Sequence, residues 1–481
     1  MSVSAVVVAG VAILAILGVG HASSAPPPGD QGLCQSPWRS VPATSVFGDP
    51  VAVYSGLGGT YEQSAGVAYK LTGQFPHATS FALTGYNDYG FLSSRGDVLD
   101  DSQVIPDRGS LNPFRSGNPV EAGSRSYTAW LWPASVPVPR GLKNVVLFPT
   151  THADPTDQQI RTLAVLRLYQ MQPGYALSSA LPTVHAVSAA DPTKGVPCPV
   201  TQTAANTSLL GDYSAWRTAF GPAQVPPEPS DSRVLFSRPP YQFIPFPESY
   251  PAHGSTNYLS AALDTSKITV VTWHKTASYF NNQVLTPSSL MGDFQTRYMS
   301  ITVFSFPESA SLSVNSDDAI YRQGRAWVTV LLPSDPSLSP AQLSEVRAKA
   351  ARLRYNVIQD PPPASLFGIP TELVVRQNMP SGAFCGSITN VPSWTDPNNP
   401  ATANNNYRDF GAQNSAKFFA TYTSNSENMG PYWIDGVKET FQEFMSDSPG
   451  TARPSSETRR VTPSGGCQRT GRDPLSWHSG G

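Results

Sequence analysis

Charged residues are scarce in this sequence, and basic tracts are absent from it. Asp, Glu, Lys and Arg make up 14% of the 481 residues, against about 25% in an average soluble domain. The 32 basic and 34 acidic residues almost cancel. A protein that grips the phosphates of nucleic acid carries clustered Lys and Arg. We therefore expect no nucleic acid among its partners.

Signatures of catalysis are missing as well. The chain has no G-x-S-x-G elbow and no S-x-x-K set, which are the usual settings of an activated serine. Its seven histidines are scattered, with no H-x-H or H-x-x-x-H pair, and its four cysteines form no C-x-x-C pair. These absences predict no cofactor, no zinc site and no catalytic residue that the sequence alone can name.

Three clustered aspartates are the weak candidates for a metal site: Asp97, Asp100 and Asp101. Calcium prefers six to eight oxygen ligands, so carboxylates are the right chemistry. Their spacing does not match the EF-hand loop. The simpler interpretation is structural, because Asp, Asn and Pro open turns and four turn signals follow between residues 96 and 119.

The N-terminus has the layout of a secretory signal peptide. An apolar run over residues 5–19 is too short to span a bilayer, and it ends in small residues before a proline-rich segment. No Lys or Arg precedes the run, which leaves an uncleaved membrane anchor as the rival. We expect cleavage after residue 24, secretion, and no stable membrane span.

The four cysteines fit an oxidising compartment. An even number in a secreted chain predicts two disulfides, for which three connectivities are possible. We favour the pairs Cys34 with Cys198 and Cys385 with Cys467, because each would fasten the ends of one part of the chain.

Asn206 opens the sole glycosylation sequon.

The patterning is typical of a mainly β protein. Short runs of alternating apolar and polar residues recur, interrupted by some of the 47 prolines and 37 glycines. Residues 79–87 align with 297–305, which suggests a duplicated unit. We predict two jelly-roll or sandwich-like units. The predicted segments are a first unit at 25–221, a proline-rich linker at 222–251, a second unit ending in a helix at 252–360, an irregular region packing on the β units at 361–445, and a polar, mostly disordered tail at 446–481.

Two helices are predicted. Ser339 followed by Pro340 and Gln342 has the pattern of a capping box, and apolar residues continue at helical spacing to Val357. A second, short helix is predicted from Ile434 to Met445.

Four phrases carry a resemblance to known proteins: FPHATSFALTGYND, DSQVIPDRGSLNPFRSG, DFQTRYMSITVFSF and ELVVRQNMPSGAFCGSI. In this order they resemble a family of uncharacterised secreted bacterial and fungal proteins with paired β-rich domains of unknown function. The resemblance covers residues 45–433. It implies secretion and a β-sandwich architecture, and it supplies no catalytic residue.

Two classes of function remain open. The first is a non-catalytic extracellular protein that binds a glycan or a small apolar ligand, for which aromatic faces are suited. The second is a secreted hydrolase that uses paired carboxylates on a glycan or an ester, with two acids across a cleft. Because a loop with arginines lies beside the predicted inter-unit cleft, the candidate ligand-binding residues are Asp107, Asn112, Arg115, Arg297 and Tyr298.

Overall fold

The computed structural model describes a little under half of the chain. The described residues are 32–41, 49, 51–59, 64–85, 98–115, 118–119, 121, 123–148, 150, 161–200, 232–234, 236, 256–274, 296–304, 312–315, 326–333, 337–359, 372–378, 387–388, 429 and 434–446. Among them, no helix is long and apolar enough to cross a membrane. The predicted signal peptide, the sequon at Asn206 and the C-terminal tail lie outside these residues.

The described part is mainly β, as predicted. It contains eighteen strands and three helices, which follow one another in this order: β1 (Trp38–Val41), β2 (Ala52–Gly59), β3 (Val67–Gln74), β4 (Ala78–Gly85), β5 (Val98–Asp100), β6 (Ser126–Pro133), β7 (Val145–Phe148), β8 (Arg161–Met171), α1 (Leu177–Ala180), β9 (Thr183–Ser188), β10 (Asp191–Gly195), β11 (Thr256–Ala262), β12 (Ile268–His274), β13 (Tyr298–Phe304), β14 (Leu312–Asn315), β15 (Ala326–Leu332), α2 (Pro340–Leu353), β16 (Asn356–Gln359), β17 (Glu372–Asn378), β18 (Asp435–Glu439) and α3 (Phe441–Ser446).

The first unit, β1–β10, is a sandwich of two five-stranded sheets. Its inner sheet has the order β1-β2-β8-β4-β5, and its outer sheet has the order β10-β9-β3-β6-β7. Alternate side chains of both sheets point into a shared apolar core, as a two-layer β fold requires. That core includes Phe81 and Leu166 from the inner sheet and Tyr69, Leu131 and Val184 from the outer sheet.

The second unit, β11–β18, repeats this strand order. Its inner sheet is β11-β17-β13-β14, and its outer sheet is β16-β15-β12-β18. The inner order matches β2-β8-β4-β5 of the first unit, and the outer order matches β7-β6-β3-β9. In both outer sheets the same edge pair is parallel, namely β6 with β7 and β15 with β16. All other described strand pairs are antiparallel.

The inner sheets face each other, since the rings of Tyr169 on β8 and Tyr298 on β13 lie 5.2 Å apart and belong to one apolar cluster. All eight residues of β4 are buried: Phe81 and Leu83 point into the core of the first unit, and the alternate residues point toward the second unit. β13 follows the same alternation, with Met299 and Ile301 in the second core. We call the layer between the two inner sheets the junction.

A disulfide joins Cys34 to Cys198, the first of the two predicted pairs. It links residues 164 positions apart, at the start and the end of the first unit. The sulfur atoms lie at the edge of the first apolar core. Cys385 and Cys467, the second predicted pair, lie outside the described residues.

The second unit extends beyond its predicted limits. Within the predicted linker, Val234 and Phe236 are buried in the second core, and the N–H of Val234 donates to the carbonyl of Gly436. Within the segment predicted to be irregular, β17 lies in the middle of an inner sheet, between β11 and β13. Both differences have one cause: long-range pairing fixes these segments, and their local sequence does not show it.

The first predicted helix is confirmed, and the second is partly wrong. Ser339 and Gln342 form a capping box at the start of α2. This helix ends at Leu353, before Val357, because Arg354 adopts a left-handed conformation. The segment predicted as a helix from Ile434 to Met445 begins instead as strand β18, which pairs with β12, and only its end forms helix α3.

Candidate functional site

The loop after β5 contains three of the five predicted ligand-binding residues. Asn112 is fully buried, and its amide donates to the carbonyls of Asp101 at 2.7 Å and Val104 at 2.8 Å. Arg115 donates to the carbonyls of Ser102 at 2.8 Å and Gln103 at 3.1 Å. These side chains fasten the loop to itself, as their turn-forming sequence indicates.

Asp107 takes part in the same network through its backbone. Its N–H donates to the carbonyl of Ser126 at 3.0 Å, and its carbonyl accepts from the N–H of Ser110 at 2.9 Å. These bonds hold the loop against the start of β6. Asp107 and Arg115 therefore have structural contacts within and beside their own loop.

Arg297 connects this loop to the second unit. Its guanidinium donates to Asp101 Oδ1 and to the carbonyl of Phe114, both at 3.1 Å, and the ring centroid of Phe114 lies 5.6 Å from its Cζ. The side chains of both Arg297 and Asp101 are almost completely shielded from solvent. A buried ion pair of this kind needs both partners, because either charge alone would lack compensation.

Asp100 and Asp101, the weak metal candidates, lie at this buried contact. Burial raises the pKa of Asp100 well above its ordinary value, the neighbouring Asp101 raises it further, and Arg297 opposes the rise. Burial also raises the pKa of Asp101, against the effect of Arg297. Among the described residues, no group of three or more His, Cys, Asp or Glu could hold a metal ion. Asp97 lies outside them.

Tyr298 binds a buried carboxylate in the junction. Its hydroxyl donates to Asp49 Oδ2 at 2.7 Å, and the hydroxyl of Ser300 donates to the same oxygen. Arg376 Nη1 lies 3.7 Å from that oxygen. Asp49 precedes β2 of the first unit, whereas the other three residues belong to the second. Sequence patterns missed Asp49, because the Gly48-Asp49-Pro50 segment has only the pattern of a turn.

Each inner sheet presents the same three side chains to the junction. In the first unit, Arg167 Nη1 donates to Thr84 Oγ1 at 2.6 Å, and its Cζ lies 5.9 Å from the ring centroid of Tyr54.

In the second unit, Arg376 Nη1 donates to Thr302 Oγ1 at 2.6 Å, and its Cζ lies 5.7 Å from the ring centroid of Tyr258. Both arginines are 2% exposed. We call these sets the first and second Tyr–Arg–Thr groups.

Six aromatic residues were candidates for a ligand face, and the four whose side chains are described are buried or partly buried. Trp132, Trp273 and Tyr298 are fully buried, and Trp130 is partly buried beside Trp132. Tyr86 and the side chain of Trp327 lie outside the described residues.

An exposed aromatic group lies instead at one end of the first unit. Tyr175 is 42% exposed, and its ring stacks on the imidazole of His77 with 3.6 Å between centroids and 11° between planes. The side chain of Glu121 is 68% exposed, with Oε1 3.8 Å from His77 Nδ1. Arg125 Nη1 lies 2.9 Å from His77 Nε2. We call His77, Glu121, Arg125, Gln172 and Tyr175 the Tyr175 platform.

Three loops bring the platform together. His77 follows β3, residues 121–125 precede β6, and Gln172 to Tyr175 follow β8. A tight turn holds Tyr175, because its N–H donates to the carbonyl of Gln172 and Gly174 has a φ of +90°, which favours glycine. The Pro173-Gly174 pair is the sequence signal that could have placed Tyr175 at a loop tip.

The surroundings of His77 favour its neutral form. Burial and the charge of Arg125 lower its pKa, against the opposing effects of Glu121 and of a hydrogen bond with Gln172. Arginine can only donate, so the imidazole nitrogen accepts from Arg125. The neutral ring gives Tyr175 a flat, rigid support.

No protein-family model matches the chain, and no curated protein matches it. Among solved structures, it is similar to an uncharacterized protein from Burkholderia cenocepacia, with 11% identity over 69% of this chain and 74% of that chain and a TM-score of 0.35. It is also similar to the VPA0106 protein from Vibrio parahaemolyticus, with 11% identity over 70% of this chain and 87% of that chain and a TM-score of 0.32. Neither likeness is close enough to support an argument about fold or function.

Proposed function

We propose that this chain is a secreted, non-catalytic protein that binds a neutral glycan on the Tyr175 platform. The observation that carries the proposal is the exposed ring of Tyr175 supported from behind by His77. An aromatic ring buries the apolar face of a sugar at low conformational cost. The exposed Glu121 carboxylate beside it can accept hydrogen bonds from sugar hydroxyls.

The position of the platform also supports a binding role. Loops at one end of a β-sandwich are displayed by a rigid framework and often carry recognition. Here the stacked rings and the Arg125 contact fix the side chains before a ligand arrives. Preorganisation of this kind raises affinity, because little freedom is lost on binding.

The hydrolase alternative has less support. A glycosidase of the common type needs two acids about 5 to 10 Å apart across a cleft. Asp100 and Asp101 are neighbours in the chain, are buried, and lie beside Arg297. Asp107, another candidate acid, lies in the loop after β5, and three further candidates, Asp293, Asp317 and Asp318, lie outside the described residues.

Titration with neutral hexasaccharides tests the proposed binding. The panel would contain cello-, xylo-, malto-, laminari- and chitohexaose, and binding would be measured by calorimetry. We expect Tyr175→Ala to weaken binding by at least about tenfold, or about 1.4 kcal/mol, and Tyr175→Phe to retain most of it. Leu111→Ala is the matched control, because Leu111 is also an exposed apolar residue, at 43%.

Two results would contradict the proposal. If the intact chain binds no hexasaccharide of the panel, the glycan assignment fails. If the sugars are shortened during incubation, and Asp→Asn changes at Asp293, Asp317 or Asp318 stop this, the hydrolase alternative is favoured.

N-terminal sequencing of protein recovered from the culture medium tests secretion, with a start at residue 25 as the expected result.

We also propose that the two units are copies of one ancestral β unit, and that the chain belongs with the secreted paired-β proteins that its sequence resembles. The shared strand order and the parallel edge pair in each outer sheet support the duplication.

A further inference from the structure

The two Tyr–Arg–Thr groups occupy the same register in their sheets. Arg167 on β8 is opposite Tyr54 on β2 and Ala82 on β4. Arg376 on β17 is opposite Tyr258 on β11 and Ser300 on β13.

In each sheet the threonine lies two residues beyond the position opposite the arginine. Ala82 precedes Thr84 by two residues, and Ser300 precedes Thr302 by two. The match therefore covers three strands and their order. A chance resemblance between two amphipathic strands would not extend over three strands in this way.

Both groups point into the same layer. Tyr54 belongs to an apolar cluster that also contains Tyr169 of the first unit and Tyr298 of the second, and the rings of Tyr169 and Tyr298 lie 5.2 Å apart. Arg376 of the second unit reaches Asp49 of the first. Equivalent faces of the two units are thus in contact with each other.

The arginines affect the pKa values of the tyrosines across the junction in both directions. Burial raises the pKa of Tyr54, and both Arg376 and Arg167 oppose the rise. Burial likewise raises the pKa of Tyr258 to about 12, and the same two arginines oppose that rise. Each tyrosine is therefore within the field of its own arginine and of the arginine in the other unit.

We infer that the junction is a twofold interface formed within one chain, in which each inner sheet is the partner of its own equivalent. In such an interface we expect residue i of one unit to contact residue j of the other, and residue j of the first to contact residue i of the second. This reciprocity is the defining property of isologous interfaces, which join identical subunits around a twofold axis. The face of the first unit is accordingly a self-complementary surface, and the partner it fits is a second copy of the same β unit.

Cleavage between the units tests this inference on the full chain. A recognition site for a specific protease would be inserted between residues 215 and 216, after the first unit and before Ser232. After cleavage we expect both halves to elute together in size-exclusion chromatography, at the mass of the uncut chain. Halves that separate at micromolar concentration would overturn the inference.

Equivalent substitutions then test the twofold character. Arg167→Met and Arg376→Met should each raise the dissociation constant of the cleaved halves by at least about tenfold, and by similar factors. Lys349→Met is the control, because Lys349 is a buried cation of α2 that contacts Phe444, away from the junction. It should lower the urea midpoint and leave the association of the halves unchanged.

Double-mutant cycles measure the energetic coupling between the two units directly. Tyr54→Leu is combined with Arg376→Met, and Tyr258→Leu is combined with Arg167→Met, with the urea midpoint as the readout. Two couplings of the same sign and similar size support a twofold junction. A coupling in one cycle and none in the other would overturn it.

Milder variants keep the test usable if an arginine variant does not fold. Thr84→Val and Thr302→Val remove the same hydrogen-bond acceptor from each arginine. Their shifts in the urea midpoint should agree within error, and unequal shifts count against the twofold junction.

Discussion

The two units cover the outside of their outer sheets in different ways. In each unit, two parallel strands at the edge of that sheet are joined by a crossover: residues 134–144 between β6 and β7, and residues 333–355 between β15 and β16. The shorter crossover is a loop packed around Trp132, whose Nε1 donates to the carbonyl of Val136 at 2.9 Å. The longer crossover contains α2, which packs on the sheet with α3 through Val346, Ala350 and Phe444.

This difference shows that the apolar outer face of the sheet must be buried, whereas the type of element that buries it can vary. An outer face with apolar side chains must be shielded from water. A short loop packed around one large aromatic residue of the sheet satisfies that requirement, and so does an amphipathic helix. In the junction, by contrast, both units carry a Tyr–Arg–Thr group, whose polar atoms need specific partners that an apolar cover cannot supply.

The largest expected effect comes from removing either cover. Trp132→Ala in the first unit and Phe444→Ala in the second should each lower the free energy of unfolding by about 3–5 kcal/mol, because each deletes a buried aromatic side chain. Urea denaturation measures the change. Val138→Ala in the loop of the first unit is the control, since Val138 is 40% exposed. A loss below about 1 kcal/mol for Trp132→Ala would show that the loop does not act as a cover.

The disulfide should distinguish the first unit from the second. Replacing Cys34 and Cys198 by Ser removes a cross-link over 164 residues and should cost about 2–4 kcal/mol of stability. In calorimetry, the loss should be confined to the transition of the first unit. An equal shift of α2 unfolding would indicate that the two units unfold as one.

A half-buried carboxyl group should make the second unit sensitive to pH. Burial raises the pKa of Asp435 on β18 to about 6. The folded state therefore binds the proton more tightly than the unfolded state, so the stability from this group is complete below about pH 4 and is lost as the pH rises through about 6.

Stability measured between pH 4 and 7 checks this prediction. Between pH 4 and 7 we expect Asp435 to lower the free energy of unfolding of the wild type by about 1–2 kcal/mol. In Asp435→Asn this part of the pH dependence should be absent. A slope that Asp435→Asn leaves unchanged would assign the pH dependence to other groups.

The smallest expected effect concerns α2, the helix in the crossover between β15 and β16, which has no counterpart in the crossover between β6 and β7. Ser339→Ala removes the side chain that accepts from the N–H of Gln342 at 3.3 Å and should lower stability by about 1 kcal/mol. Ser344→Ala on the exposed middle of α2 should have the opposite sign, because alanine is the better helix former there. Both are measured by urea denaturation followed by circular dichroism.

The sequence predicted the features that depend on local chemistry. Period-two patterning indicated a mainly β fold, and Ser339 with Gln342 indicated a helix start. The turn signals around Asn112 indicated a loop closed by its own side chains. β18 was missed because its partner β12 lies more than 150 residues away in the chain, and pairing at that distance leaves no local pattern.

The candidate site was harder to predict for the same reason. His77, Glu121 and Tyr175 come from three separate loops, and none belongs to a recognisable motif. Arg297 and Tyr298 were singled out, but their partners Asp101 and Asp49 come from the other unit. Contacts between units depend on the assembled sheets, so a single sequence could not reveal them.

The polar character of the junction also has a consequence during synthesis. Synthesis starts at the N-terminus, and Tyr298 follows Cys198 by 100 residues. The first unit is therefore complete well before β13 is made. Until β13 and β17 are made, the inner sheet of the first unit therefore faces water with Tyr54, Thr84 and Arg167 on its surface. A nascent chain with an apolar face at this stage would be prone to aggregation, whereas hydroxyl and guanidinium groups keep the half-made protein hydrated.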